Sequence, residues 1–306
     1  MIVLVETGMN IKYSDAVIRA KEHGEPVLAL ESTIISHGMP FPENLSFAKK
    51  AESLCRDSGV EPATIAVIDG VPYVGLELEQ LEKISRSDNI KKVSKGALGL
   101  SVARGWSGAT TVSSTAHIAN IAEIPVFSTG GIGGVHRDAE LTFDISQDLI
   151  ALSQTPIVVI ASGAKSILDI PKTVELLETL SITTVGYNTK EFPSFYSRMS
   201  GVPITTVESP GDIINIFNAN KSAGHSSATL VANPIPAKSE IPKKEMDEFI
   251  ESALVQLSEQ EIRGKEVTPF LLRYIAKKTG GRSLKANIAL ALNNVALGIE
   301  VAKKMH

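Results

Sequence analysis

Along this chain, short runs of apolar and β-branched residues alternate with longer stretches in which apolar positions recur at helical spacing. The runs at 27–30, 64–68, 125–128, 157–161, 183–187 and 229–232 have the length and composition of buried strands, and the stretches between them have the periodicity of covering helices. Such alternation predicts an α/β protein, a three-layer α/β/α sandwich around a central sheet. Asp69-Gly70 stands between Ile65-Ala66-Val67-Ile68 and Val71-Pro72-Tyr73-Val74, the chemistry of a two-residue hairpin with positive backbone angles. The sheet is therefore expected to be mixed rather than wholly parallel.

After Asn233-Pro234-Ile235-Pro236 the pattern turns helical. Segments 243–260, 269–279 and 283–304 read as helices. Pro269 follows Thr268 as an N1 proline follows its cap, and Gly280-Gly281 ends the middle segment. Leu284, Ile288, Leu292, Val295 and Ile299 form a stripe that reads as core. There is no internal repeat, low-complexity tract or long linker, so this helical part is expected to pack on the main sheet within one domain, 1–306.

Composition narrows the class. A chain of 306 residues with 43% hydrophobic content can bury a large core. A formal charge of −4 argues against a nucleic-acid surface, which needs a basic face to neutralise phosphates, but leaves small-molecule phosphates open. The one cysteine, Cys55, excludes an intramolecular disulfide and a cysteine metal cluster; among Leu45, Ala48, Ala51 and Leu54 it reads as a buried structural thiol. Residues Met1 to Glu6 lack a basic n-region, so no signal peptide is expected. The longest apolar segments are interrupted, by His117 and Glu123 or by Asn293, Asn294 and Glu300, so no membrane span and a cytoplasmic location are expected.

The candidate chemistry sits where apolar runs end. Lys165 stands in Ala161-Ser162-Gly163-Ala164-Lys165-Ser166-Ile167-Leu168-Asp169, directly after Ile157-Val158-Val159-Ile160. Burial disfavours an ammonium and leaves an amine able to attack a carbonyl carbon, although a lysine there is more commonly an exposed charge. Four other polar clusters share such positions: Leu30-Glu31-Ser32-Thr33, Lys91-Lys92-Val93-Ser94, the glycine-rich 129–137, and 142–149. Glu31 is either an acid held protonated by burial or the partner of a cation. Gly130-Gly131-Ile132-Gly133-Gly134 either exposes N–H donors to an anion or makes a tight loop. Asp144 and Asp148, four apart, would share a helix face, joined by a cation or forming a plain helix N-terminal pair. Lys92, His136 and Arg137 could bind phosphate or cap their loops. His37 fits a structural or a site role equally.

A resemblance is carried by longer segments. Ala29 to Pro40, Gly108-Ala109-Thr110-Thr111-Val112, Ser128 to Arg137, Phe143 to Leu149, Gly163 to Asp169, Asn233 to Pro236 and Gly264-Lys265-Glu266-Val267-Thr268-Pro269-Phe270-Leu271-Leu272 are similar to the pseudouridine-5′-phosphate glycosidases, or indigoidine synthase A family. The similarity runs from about residue 20 to the C-terminus. It implies an α/β/α homotrimer that depends on a divalent metal, usually Mn²⁺. The implied reaction is reversible cleavage of the C–C glycosidic bond of pseudouridine 5′-phosphate to uracil and ribose 5-phosphate, in nucleoside catabolism. Carried over by motif, Lys165 would be the Schiff-base nucleophile, Glu31 the proton donor and Asp144 the metal ligand. Lys92, Val112, Ser146, Gln147 and Asp148 would contact substrate, as would His136 and Asn287.

These residue types suit that chemistry. Protonating a leaving oxygen, the route of ordinary two-carboxylate glycosidases, does not break a carbon–carbon glycosidic bond. An acid that opens the ribose ring and an amine that captures its C1′ do offer a route. Two other readings use the same residues: a lysine-dependent aldolase or lyase acting on a sugar phosphate, and a noncatalytic sugar-phosphate binding protein. Metal dependence separates the first from the glycosidase; imine trapping separates the second.

Overall fold

The computed structural model describes residues 3–4, 9–86, 89–260, 262 and 267–306. In chain order its strands are β1 (Val3–Leu4), β2 (Asn10–Tyr13), β3 (Val27–Leu30), β4 (Glu61–Ile68), β5 (Val71–Val74), β6 (Lys91–Val93), β7 (Gly108–Thr110), β8 (Val126–Ser128), β9 (Val158–Ala161), β10 (Thr183–Tyr187), β11 (Thr205–Val207) and β12 (Thr229–Ala232). All six expected strands are present, the first of them residue for residue.

The strands β4-β3-β8-β9-β12-β10-β11 run parallel, each to its neighbour. Every residue of β3, β8, β9 and β12 is buried, as a sheet covered on both faces requires. β4 is long enough to serve both the parallel and the antiparallel part of the sheet. Its first half, to Thr64, pairs with β3, and its second half, from Ile65, pairs antiparallel with β5 and β7. The sheet is mixed for the expected reason. Asp69 and Gly70 turn the β4–β5 hairpin with φ of 48° and 79°, both positive.

Helices cover both faces. Val112–Ile121 lies against β3, β4 and β8, while Arg282–Met305 lies against β3, β8, β9 and the helix Glu43–Asp57. Cys55, on the latter helix, is fully buried, and burial pushes its thiol up to about 12, so it is an inert packing group. Among the described residues no helix is long and apolar enough to cross a membrane.

The C-terminal helices run over Lys243–Glu259, Val267–Lys278 and Arg282–Met305, with Gly280 and Gly281 at φ of 58° and 81° between the last two. One boundary differs from expectation: the second helix starts at Val267, so Pro269 is its third residue, still in the first turn where a missing N–H does no harm. Residues 263–266 lie outside the described residues. The stripe on the last helix also differs in depth. Val295 and Ile299 are buried, but Leu284, Ile288 and Leu292 are only half-buried, and the deepest positions include the polar Asn287 and Asn294.

Candidate active site

The carboxyl ends of β3, β8 and β9 lie side by side, where open parallel sheets place their ligands. Glu31 directly follows β3, Thr129 follows β8, and Lys165 stands four residues beyond β9. The turn to Lys165 needs Gly163, which adopts a φ of +68° and whose added Cβ would lie 1.8 Å from the carbonyl oxygen of Pro193. The Lys165 backbone N–H then donates to Ile132 O at 3.1 Å, tying the lysine loop to the glycine-rich loop after β8.

A polar cavity of about 260 Å³ opens over these strand ends, and its lining includes Glu31, Lys92, Val112, His136, Asp144, Ser146, Gln147, Asp148 and Lys165. Nine of the ten residues singled out as site residues from the sequence meet there. The tenth, Asn287, borders an adjoining apolar lobe of about 40 Å³ that shares Glu31, Lys92 and Lys165 with the main cavity. His37, Phe195 and Leu272 also line that lobe. Asn287 is buried; its amide donates to Gly38 O at 3.4 Å, while Oδ1 has no hydrogen-bond partner. Arg137 is exposed and borders a separate cavity with Asp169 and Lys243.

Glu31 is 6% exposed. Burial is the main reason its carboxyl is pushed up to about 7; nearby Asp148 pushes the same way, while Lys165, the Thr129 hydroxyl and Lys92 act against it. The Thr129 hydroxyl donates a hydrogen bond to Glu31 Oε2. Near neutral pH the group therefore holds a proton it can give up. Lys165 and Lys92 are half-buried, with part of each side chain reached by solvent.

Asp148 lies deeper. Its carboxylate accepts from the backbone N–H groups of Ser113 at 2.9 Å and Gly133 at 2.8 Å. It sits in the first turn of the helix Gln147–Leu152, capped by Ser146, whose hydroxyl accepts from the Asp148 N–H. Asp144 precedes that helix, so the two aspartates do not share a helix face as the spacing suggested. The reason is tertiary: Ser146 N–H donates to Gly134 O and His136 N–H to Asp144 O, pinning 144–146 against the glycine-rich loop as extended chain. Of that loop's N–H groups, those of Ile132, Gly133 and Val135 are already used by protein acceptors. A Cβ on Gly133 would stand 2.2 Å from Ser146 Oγ, and one on Gly131 2.6 Å from the Phe195 ring. Close packing is thus what the glycines provide.

Asp144 is half-exposed, and its carboxylate lies 3.9 Å from His136 Nδ1. Burial holds the His136 imidazole below its usual range, reinforced by Lys165 and Lys92 and opposed by Asp144, so the ring is neutral at neutral pH. Among the described residues no three or more His, Cys, Asp or Glu side chains cluster to enclose a metal. A lone accessible carboxylate fits instead a hard divalent ion that keeps most of its waters.

Thr129, Phe195 and Asn294 are the residues of this region whose roles the sequence did not disclose. Thr129 was visible only as the first residue of a glycine-rich loop. Nothing local marks Phe195, whereas Asn294 did leave a trace, a polar position inside an apolar helical stretch.

Residues 16–304 match the family profile described as "Indigoidine synthase A like protein". A Staphylococcus aureus protein named pseudouridine-5′-phosphate glycosidase is 48% identical over 293 residues, 95% of each chain. One of the same name from Solibacter usitatus is 47% identical over 295 residues, 96% of this chain and 99% of the relative. The crystal structure of an indigoidine synthase A-like protein from Thermotoga maritima superposes with a TM-score of 0.89 at 38% identity, covering 97% of both chains. That of a prealnumycin C-glycosynthase in complex with ribulose 5-phosphate does so with a TM-score of 0.88 at 34% identity, covering 96% of this chain and 97% of that one.

The raised carboxyl of Glu31 has a consequence for stability. Its folded value of about 7 exceeds the ordinary 4.5, so the native state holds the proton more tightly than the unfolded chain. Stability is then lost as pH rises through that window, and Glu31→Gln, which stays neutral, escapes the loss. The variant's stability relative to the parent should grow between about pH 4.5 and about pH 8 by up to roughly 3 kcal/mol. Urea unfolding at both pH values checks this; equal differences would mean that Glu31 does not titrate there.

Proposed function

This chain belongs to the indigoidine synthase A-like family, and from that premise we propose that it is a pseudouridine-5′-phosphate glycosidase whose active site is the cavity over β3, β8 and β9. The observation that carries the reading is the meeting of a buried carboxylic acid poised near neutrality, Glu31, with an accessible amine, Lys165, in one cavity. The polar side chains lining the main cavity of about 260 Å³ also suit a substrate that carries a sugar phosphate. The similar C-glycosynthase that holds ribulose 5-phosphate supports a pentose phosphate as ligand.

The proposed reaction starts with Glu31 protonating the ribose ring oxygen. The C1′–O4′ bond breaks, and C1′ is left electrophilic and conjugated with the base. Lys165 adds to C1′ through its nitrogen lone pair and loses a proton. After C5 of the base is protonated, the nitrogen lone pair forms the C1′=N bond as the C1′–C5 pair returns to the uracil ring. Water hydrolyses the resulting imine to ribose 5-phosphate and free Lys165. Asp148, whose oxygens accept from two backbone N–H groups, is proposed to accept from a sugar hydroxyl as well. Lys92, Val112, Ser146, Gln147, His136 and Asn287 are proposed as further substrate contacts.

Asp144 is the residue that would hold a divalent cation, most suitably Mn²⁺. When bound, such an ion supplies positive charge and ordered waters beside the substrate. We further propose a single cytoplasmic domain that assembles as a homotrimer; the exposed apolar side chains of Leu141, Phe143 and Ile150 support a subunit contact.

Incubation with pseudouridine 5′-phosphate and Mn²⁺ should yield uracil and ribose 5-phosphate, and borohydride with ribose 5-phosphate should leave a reduced adduct on Lys165 that Lys165→Ala abolishes along with turnover. An adduct on another lysine would reassign the nucleophile, and no product would favour an aldolase or a binding protein.

Glu31→Gln keeps the shape and removes the transferable proton. Turnover should fall about 10²- to 10⁴-fold while substrate still binds. Near-parental turnover would make Glu31 structural.

Chelation should remove activity and Mn²⁺ restore it, with Asp144→Ala weakening Mn²⁺ binding, read by calorimetry, without lowering the melting temperature. Full activity after metal stripping would remove the ion from the reaction.

A further inference from the structure

The last helix carries Asn294 fully buried, directly beneath the strand ends that form the site. Its side-chain amide donates to Thr129 O at 2.8 Å, Gly130 O at 3.2 Å and Ser162 Oγ at 3.2 Å. Its Oδ1 accepts from Asn233 Nδ2 at 3.0 Å, at the end of β12. One side chain from a remote helix thus touches the ends of three adjacent parallel strands.

We propose that Asn294 is a positioning residue for the reaction, holding in one arrangement both the loop whose Thr129 orients Glu31 and the strand end that leads to Lys165. On the first arm, fixing the Thr129 carbonyl fixes the residue whose hydroxyl donates to Glu31 Oε2. On the second, Ser162 is held through its hydroxyl by Asn294 and through its N–H by Gly130 O at 2.8 Å, and Lys165 follows three residues later. Two amide hydrogens face three oxygens, so the Ser162 hydroxyl both receives from Nδ2 and faces Oδ1 at 3.4 Å. A leucine would fill the same volume and suit the helix, but it would leave the Thr129 carbonyl without its donor in a dry place, and Gly130 O with the Ser162 N–H alone. The amide is what lets the two loops stop at a defined height.

The inference rests on the glycosidase reading, and its test separates the two. The full-length chain is compared with Asn294→Ala, Asn294→Ser, Thr129→Val and Ser283→Ala, the last a control that removes a buried hydroxyl from the same helix, where it bonds Thr279 and Tyr196 rather than the strand ends. The readouts are kcat, KM for pseudouridine 5′-phosphate and the pH profile of kcat/KM, all at matched folded fraction. Asn294→Ala should lower kcat about ten- to hundredfold with KM within about threefold, because misplaced groups lose rate more than affinity. Glu31 is faced by Lys165, Lys92, Asp148 and the Thr129 hydroxyl, and of these the hydroxyl, on the residue that Asn294 itself holds, should be disturbed most. Losing that donor disfavours the carboxylate, so the limb on which activity falls with rising pH should move to higher pH. Thr129→Val should move it likewise, and combining it with Asn294→Ala should move it little further. Asn294→Ser, retaining one donor, should recover part of the rate. A parental kcat and profile in Asn294→Ala, or a loss no larger than in Ser283→Ala, overturns the inference. If Asn294→Ala does not fold, Asn294→Ser decides on the same criteria, and a parental limb in Thr129→Val overturns the relay by itself. A parent inactive on pseudouridine 5′-phosphate would instead remove the glycosidase reading.

Discussion

A parallel sheet ends with carbonyl groups pointing out of its carboxyl edge, and in this protein the last of them are dry. Each must be given a donor, because an unpaired buried carbonyl costs about as much as a lost hydrogen bond. The loops after β8, β9 and β12 supply those donors to one another. Thr129 N–H reaches Ile160 O, Ser162 N–H reaches Gly130 O, Ile132 N–H reaches Gly163 O, Lys165 N–H reaches Ile132 O and Asn233 N–H reaches Ala161 O. The loops that carry Thr129 and Lys165 are therefore stitched together by the same bonds that close the sheet. The geometry of the site is a by-product of satisfying its backbone.

That edge is also what gives Glu31 its character. A carboxyl in this position loses most of its solvation, which raises its proton affinity, and the two lysines nearby restrain the rise without cancelling it. Asp148, equally buried, faces two backbone N–H donors instead. Two acids in one cavity thus differ in what each is bonded to.

Much of this was legible in the chain. Strand runs such as 27–30 and 229–232 follow from the need to bury both faces of a parallel sheet, which makes their residues apolar without alternation. The Asp69-Gly70 hairpin follows from steric limits on positive φ. Lys165, Glu31 and the 144–148 cluster were visible as polar residues where apolar runs end, a weak signal by itself, and the roles expected of them came from the family resemblance of the segments around them. The spacing argument failed at Asp144 and Asp148, since sequence separation implies a shared face only inside a helix, and tertiary bonds to Gly134 and His136 keep 144–146 extended.

What the sequence by itself determined, then, is the set of elements, the mixed character of the sheet and which candidate groups stand where apolar runs end, because each depends on local periodicity, turn sterics or side-chain type. What only the tertiary structure decided is how those groups meet: that Thr129 donates to Glu31, that glycines 131 and 133 serve close packing, that Asn287 reaches the cavity from a helix some 250 residues away along the chain from Gly38, and that Asn294 braces three strand ends. These are long-range contacts whose partners share no sequence neighbourhood. No local pattern can encode a distance between residues that only folding brings together.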